Sequence, residues 1–188
     1  MTALDPNDDR HITAIHEAGH AVSEYHHRDS APRLSIVPNA ARGTAGGALS
    51  EEPNPHDKEA VVAHVVDLFA GFAAHVHFAP DDAERARDGA ESDDATAARW
   101  LELLHDDERE RAVAEEALRQ RAGQLIATRW AAVLRVATDL VRFETLDPTE
   151  VELLIEIEDG SATAIDLERV RCMIGRHEGH RHESPTPI

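Results

Sequence analysis

Cysteine is nearly absent from this chain. Cys172 is the only one in 188 residues, which excludes an intramolecular disulfide framework and fits a reducing, cytoplasmic compartment. Lysine is equally scarce, with Lys58 alone, and 19 basic residues face 37 acidic ones for a formal net charge of −18. A chain so short of positive charge has no basic face to replace phosphate counterions, so nucleic-acid binding is excluded as a function class. Docking on anionic lipid is disfavoured for the same reason, and the acidic excess reads as a soluble, self-repelling surface. An uncharged membrane span is missing too. The most apolar run, "AVVAHVVDLFAGFAAHVHFA" at 60–79, is long enough to cross a bilayer. It carries Asp67, His64, His75 and His77, however, and a charge near the centre of a span costs several kcal/mol. A buried core helix is therefore expected. The opening "MTALDPNDDR" is polar and acidic, and is expected not to be a signal peptide.

What is present is enough for one folded domain: hydrophobic residues make up 41% of the chain. Periodicity predicts a mainly α architecture, an array of about six helices with one small two-stranded β-ribbon. Asp8 or Asp9 caps a helix running to about His27. "RLSIVP" alternates apolar and polar residues and reads as a strand, and "TAGGALS" as a second one. A long apolar helix is expected from about His56 to Phe78, then a polar connection over 79–91. A helix follows from Ser92 or Asp93 to about His105, and another from about Asp107 to Phe143. Pro148 sits in the first turn of the next helix, which Gly160 ends. These elements divide into a main domain over 1–158, a C-terminal helical segment over 159–176, and a His-rich, disordered tail over 177–188. Trp100 and Trp130 read as core aromatics, and Cys172 as a small buried residue.

Within the first helix lies "IHEAGHAV", the H-E-x-x-H spacing. Residues four apart share a helix face, so His16 and His20 can aim ring nitrogens at one ion. Glu17 sits beside them and can reach a water on that ion without ligating it. Zinc acidifies such a water and a glutamate takes its proton, which is the chemistry of peptide hydrolysis at neutral pH. With 13 histidines in the chain, the pentapeptide alone is weakly specific. Ala18 and Gly19 add that a second element can approach this helix closely. A catalytic site needs a third protein ligand. Asp93, Asp94, His75 and His77 all suit the role chemically, while His26 and His27 lie too near on the same helix to converge easily. Spacing does not decide among them.

Beyond the pentapeptide, the chain resembles the peptidase domain of the FtsH-type ATP-dependent, membrane-anchored zinc proteases. "TAIHEAGHAV" is similar to that family's motif helix, and "RLSIVPNAARGTAGGALSEE" to the ribbon that follows it. "VVDLFAGFAAHVHFA" resembles the family's "LLGGRAAEELVFG", "DGAESDDATAA" its "TGAENDLERAT", and "RFETLDPTEVELLI" its C-terminal helix. The likeness spans roughly residues 11–157. It implies His16 and His20 as zinc ligands, Glu17 as general base, and Asp93 as third ligand, with Asp94 the neighbouring alternative. It also implies that a peptide or unfolded protein binds by adding a strand to the ribbon edge.

The departures from the family bear on function. No G-x-x-x-x-G-K-[ST] occurs, so the family's ATPase ring has no counterpart in this sequence, and its oligomeric state does not carry over. The family's arginine is Phe72 here, and its glutamates are His75 and Val76. The function expected is a zinc metalloendopeptidase acting without its own ATPase on peptides, unfolded proteins or a dedicated partner, with a separate ATPase as a possible companion. The alternative is a catalytically silent, zinc-containing peptide-binding module, in which a fourth protein ligand such as His75 would close the site. A third reading, a metal buffer dominated by the tail histidines His177, His180 and His182, would bind several ions per chain.

Overall fold

The motif helix begins where the sequence supplies its cap. In the computed structural model, which describes residues 3–38, the backbone of 47–49, and 52–176, Asp8 caps α1 (Asp9–Arg28) by accepting from the amides of Arg10 and His11. Asp29, in the left-handed region at φ 52°, closes the helix. The fold is mainly α with a small antiparallel sheet. After α1 come β1 (Arg33–Ser35), β2 (Gly47–Leu49), α2 (Lys58–Phe78), a 3-10 turn at Pro80–Asp82, α3 (Ala83–Gly89), α4 (Glu91–Leu104), α5 (Glu108–Thr128), α6 (Trp130–Phe143), β3 (Thr145–Leu146), α7 (Pro148–Asp159) and α8 (Ala164–Met173).

The expected ribbon is present, with β1 and β2 antiparallel and Leu34 opposite Ala48. The strand reading of "RLSIVP" ran three residues too far, because the chain bends at Val37, whose amide donates to Ser35 Oγ. A third strand went unforeseen: β3 joins the other side of β1, with Leu34 opposite Leu146. Two residues are too few to show a period.

Helix α2 forms the centre of the array. It is long and apolar enough to cross a membrane, yet α1, α4 and α5 pack around it. It runs antiparallel to α1, with Gly19 against Ala70 and Ala74, and Ser23 and His27 against Asp67. A Cβ on Gly19 would lie 2.6 Å from the Ala70 carbonyl oxygen. The small residues of the motif thus let two backbones meet. Two apolar clusters result. The larger joins Ile15 and Val22 of α1 to Val133, Val136 and Leu140 of α6 and Leu154 and Ile155 of α7. The smaller joins Val65, Val66 and Phe69 of α2 to Ala97, Leu101 and Ala122. Each fully buried aliphatic contributes about 1.5–3 kcal/mol.

The helix expected over 107–143 breaks at Arg129. Its apolar repeat runs through the break, but α5 packs on α2 while α6 packs on α1 and α7, and one straight rod cannot follow both. The connection expected over 79–91 is mostly helical, since Ala86 and Ala90 bury completely against their neighbours. Alanine carries too little hydrophobic contrast to show this in a polar stretch. Helix α8 is joined to the core through Leu167 and through Arg171, which donates to the fully buried carboxylate of Glu150. Cys172 is exposed, not buried. Trp100 and Trp130 are partly buried at the margins of the two clusters. The expected tail at 177–188, the expected loop at 39–43 and the start of the expected strand at 44–46 lie outside the described residues.

Candidate metal centre

Three donor atoms from two helices meet at one point. His16 Nε2 and His20 Nε2, both from α1, stand 3.0 Å apart. Asp93 Oδ2, from the first turn of α4, lies 3.2 Å from the first and 3.3 Å from the second. Ligand atoms about 2.0–2.1 Å from a tetrahedral zinc ion stand roughly 3.3 Å from one another. The triangle therefore has the edge lengths of a tetrahedral face, and two imidazoles with one carboxylate form a chemically suitable set. Two imidazole lone pairs cannot face each other at this distance without a proton or a cation between them.

The other nitrogen of His20 is accounted for. Nδ1 donates to the backbone carbonyl of Asp67, 2.7 Å away, which leaves Nε2 as the nitrogen turned toward His16 and Asp93. Room for an ion is made by Gly71 on α2. A Cβ at that position would stand 2.4 Å from His20 Nε2 and 2.7 Å from His16 Nε2. The missing side chain is the space into which both rings point.

The electrostatics follow from burial and from the carboxylates. Glu17 is nearly buried beside the triangle, and burial raises its carboxyl above the ordinary value, against the pull of His20 and His16. Burial works to lower the His20 imidazole, but the Asp93 hydrogen bond and the charges of Asp93 and Glu17 outweigh it, and the group is pushed up to about 9. Asp93 is opposed by burial in the same way, yet its bonds to both histidines hold it well below the usual carboxylate range.

Of the four third-ligand candidates, the fold brings only Asp93 to the pair. Asp94 turns to α5, where Arg119 Nη2 donates to it at 2.9 Å. His75 is buried one turn beyond Gly71, its Nε2 without a hydrogen bond and 3.9 Å from Asp82 Oδ2. His77 lies against Trp130 with ring centroids 4.4 Å apart and the planes tilted by 54°. His27 donates to Asp67 Oδ1 at 2.8 Å. Among the described residues, the group of three is the only one with metal-ligand geometry.

Sequence reasoning missed two contributors. Gly71 was legible as a glycine inside a helix, which costs about 1 kcal/mol against alanine and so asks for a reason. Asp67 was legible as the one acidic residue in the apolar run 60–79. No known family model matches the chain, and no curated protein matches it significantly.

Proposed function

We propose that the protein is a zinc-dependent endopeptidase, with His16, His20 and Asp93 as metal ligands and Glu17 as general base. The observation that carries this reading is the convergence of those three donor atoms from α1 and α4 within 3.3 Å of one another, with a glutamate buried alongside. Bound there, zinc supplies Lewis acidity to a water and to the scissile carbonyl. Glu17 takes the proton of the attacking water, and its raised affinity for protons suits a group that must then pass that proton to the leaving amine. The anionic Asp93 and the tautomer set on His20 by the Asp67 carbonyl keep the donor set preorganised.

The resemblance to the FtsH-type peptidase domain supports the same assignment, since its register selects Asp93 rather than Asp94. Substrates on this reading are peptides, unfolded proteins or a dedicated partner. A separate ATPase is a possible partner. A cytoplasmic setting accompanies this reading. Three protein donors among the described residues, with His75 outside the group, would suit a bound zinc that keeps a water, which favours turnover over a closed structural site.

The test is metal stoichiometry together with cleavage of an unfolded casein-like protein. One zinc per wild-type chain beyond that retained by His16→Ala, with cleavage that disappears in Glu17→Gln while the zinc stays, is the expected result. Zinc without cleavage would favour the binding module. Equal zinc in wild type and His16→Ala would refute the site.

A further inference from the structure

One buried charge in the core is not used by the chemistry proposed above. Asp67 lies in the middle of α2, only 6% exposed, and three residues of α1 converge on it. His20 Nδ1 donates to its carbonyl oxygen at 2.7 Å, Ser23 Oγ donates to its Oδ1 at 2.6 Å, and His27 Nδ1 donates to the same oxygen at 2.8 Å. Positions 20, 23 and 27 form one stripe of α1. Oδ2, by contrast, is buried without a partner.

A buried carboxylate with one orphaned oxygen is costly, and an apolar residue here would pack α1 on α2 without that cost. What an apolar residue cannot supply is axial register. Apolar faces slide, whereas hydrogen bonds of 2.6 and 2.8 Å to one oxygen fix where α1 lies along α2. That register decides whether His16 and His20 sit over the gap left by Gly71, four residues along α2 from Asp67, and within reach of Asp93 on α4.

We infer that Asp67 is the positioning residue of the metal centre. Gripped by Ser23 and His27, its carboxylate locks α1 in the register that holds His20 against Gly71 and opposite Asp93. Asp67 acts through His20 and does not touch the ion. The inference rests on the metal-binding reading proposed above.

The experiment measures zinc affinity by competition with a chromophoric chelator and records the visible spectrum of the cobalt-substituted protein, on full-length wild type, Asp67→Ala, Asp67→Asn and Ser23→Ala. Removing a group that orients a ligand weakens metal binding by about 10–100-fold, and that loss is expected of Asp67→Ala, with an altered cobalt spectrum. Asp67→Asn keeps an oxygen that both Ser23 and His27 can bond, and is expected to restore affinity to near wild type. Ser23→Ala removes the shorter bond alone and is expected to weaken binding to an intermediate degree. Should Asp67→Ala fail to fold, Ser23→Ala decides. Wild-type affinity and an unchanged cobalt spectrum in Ser23→Ala and in any folded Asp67→Ala would overturn the inference, even where the melting temperature falls, because the clamp would then serve stability alone. Absence of zinc from the wild type in the same titration would instead refute the metal site on which the inference depends.

Discussion

The α carbon of Gly71 faces the ring of His20 so closely that a methyl group at position 71 would stand 2.4 Å from His20 Nε2. The nearest contacts are the two Nε2 atoms, His20 at 2.4 Å and His16 at 2.7 Å, so on the proposed reading the position bears on metal binding as well as on packing. Alanine is the better helix former by about 1 kcal/mol, and on an open helix face Gly71→Ala would stabilise the protein. Here the methyl group fills the space between the two imidazoles. Gly71→Ala is expected to fold, by circular dichroism, and to lose its stoichiometric zinc. A variant that retained one zinc of wild-type affinity would show that the ion, if bound, sits elsewhere.

Asp93 and Asp94 are adjacent in sequence and separate in role. The first lies against two histidines and the second against Arg119. Asp93→Asn removes the only anion among the three donors and is expected to abolish zinc binding. Asp94→Asn gives up one half-exposed ion pair, which is worth about 0–1 kcal/mol, and is expected to keep its zinc with a small fall in melting temperature. Metal analysis of the two purified variants separates them, and the opposite pattern would transfer the ligand role to Asp94.

Metal uptake has a proton count. In the metal-free protein His20 is pushed up to about 9 because Asp93 and Glu17 outweigh its burial, so near pH 7 it carries a proton that a metal ion must displace. Zinc binding is expected to release that proton, visible by calorimetry as a binding enthalpy that varies with the ionisation enthalpy of the buffer. Affinity should rise with pH up to about 9. The same shift affects stability. A folded value above the ordinary 6.5 contributes stability that is fully present below pH 6.5 and is lost as the pH rises toward 9. The metal-free protein should therefore lose melting temperature across that window, while zinc-loaded protein, whose His20 is already neutral, should not. A binding enthalpy that does not change with buffer would contradict the count.

The sequence made the motif helix, its Asp8 cap and the apolar α2 legible because each has a local signal: a capping residue, a three-and-four repeat, a long apolar run. The elements it hid are those decided by tertiary partners. The break at Arg129 exists because α5 and α6 pack on different helices, and the apolar repeat through Ile126 and Trp130 gives no sign of it. Helix α3 is held by alanines, and β3 is two residues pairing with a strand more than a hundred positions away. At the candidate metal centre, His16 and His20 on α1 are legible from their spacing. Asp93 could be chosen over Asp94, His75 and His77 only by analogy, because what selects it is the direction in which α4 presents its first turn. Gly71 and Asp67 act through a space and a register, and neither has a pattern in one dimension.

Tyr25 gives a test of the packing between α1 and α7 that is independent of any metal. It is the only tyrosine in the chain, so absorbance near 295 nm titrates this one phenol. Its hydroxyl donates to Glu156 Oε1 at 3.0 Å. Burial first, and then the bond to that carboxylate, push the group up to about 12, since an ionised phenolate would face the Glu156 charge and lose the hydrogen bond. The native protein is therefore expected to show a tyrosine midpoint near 12 while its far-ultraviolet dichroism is unchanged. Glu156→Gln removes the charge and should bring the midpoint down toward the ordinary 10. In linkage terms, a folded value above the unfolded one contributes stability that is complete below about pH 10 and is lost as the pH rises toward 12. Wild type should accordingly lose melting temperature more steeply than Glu156→Gln above pH 10. A wild-type midpoint at 10 with the helices intact would mean that Tyr25 does not engage Glu156 and that α7 meets α1 through its apolar face alone.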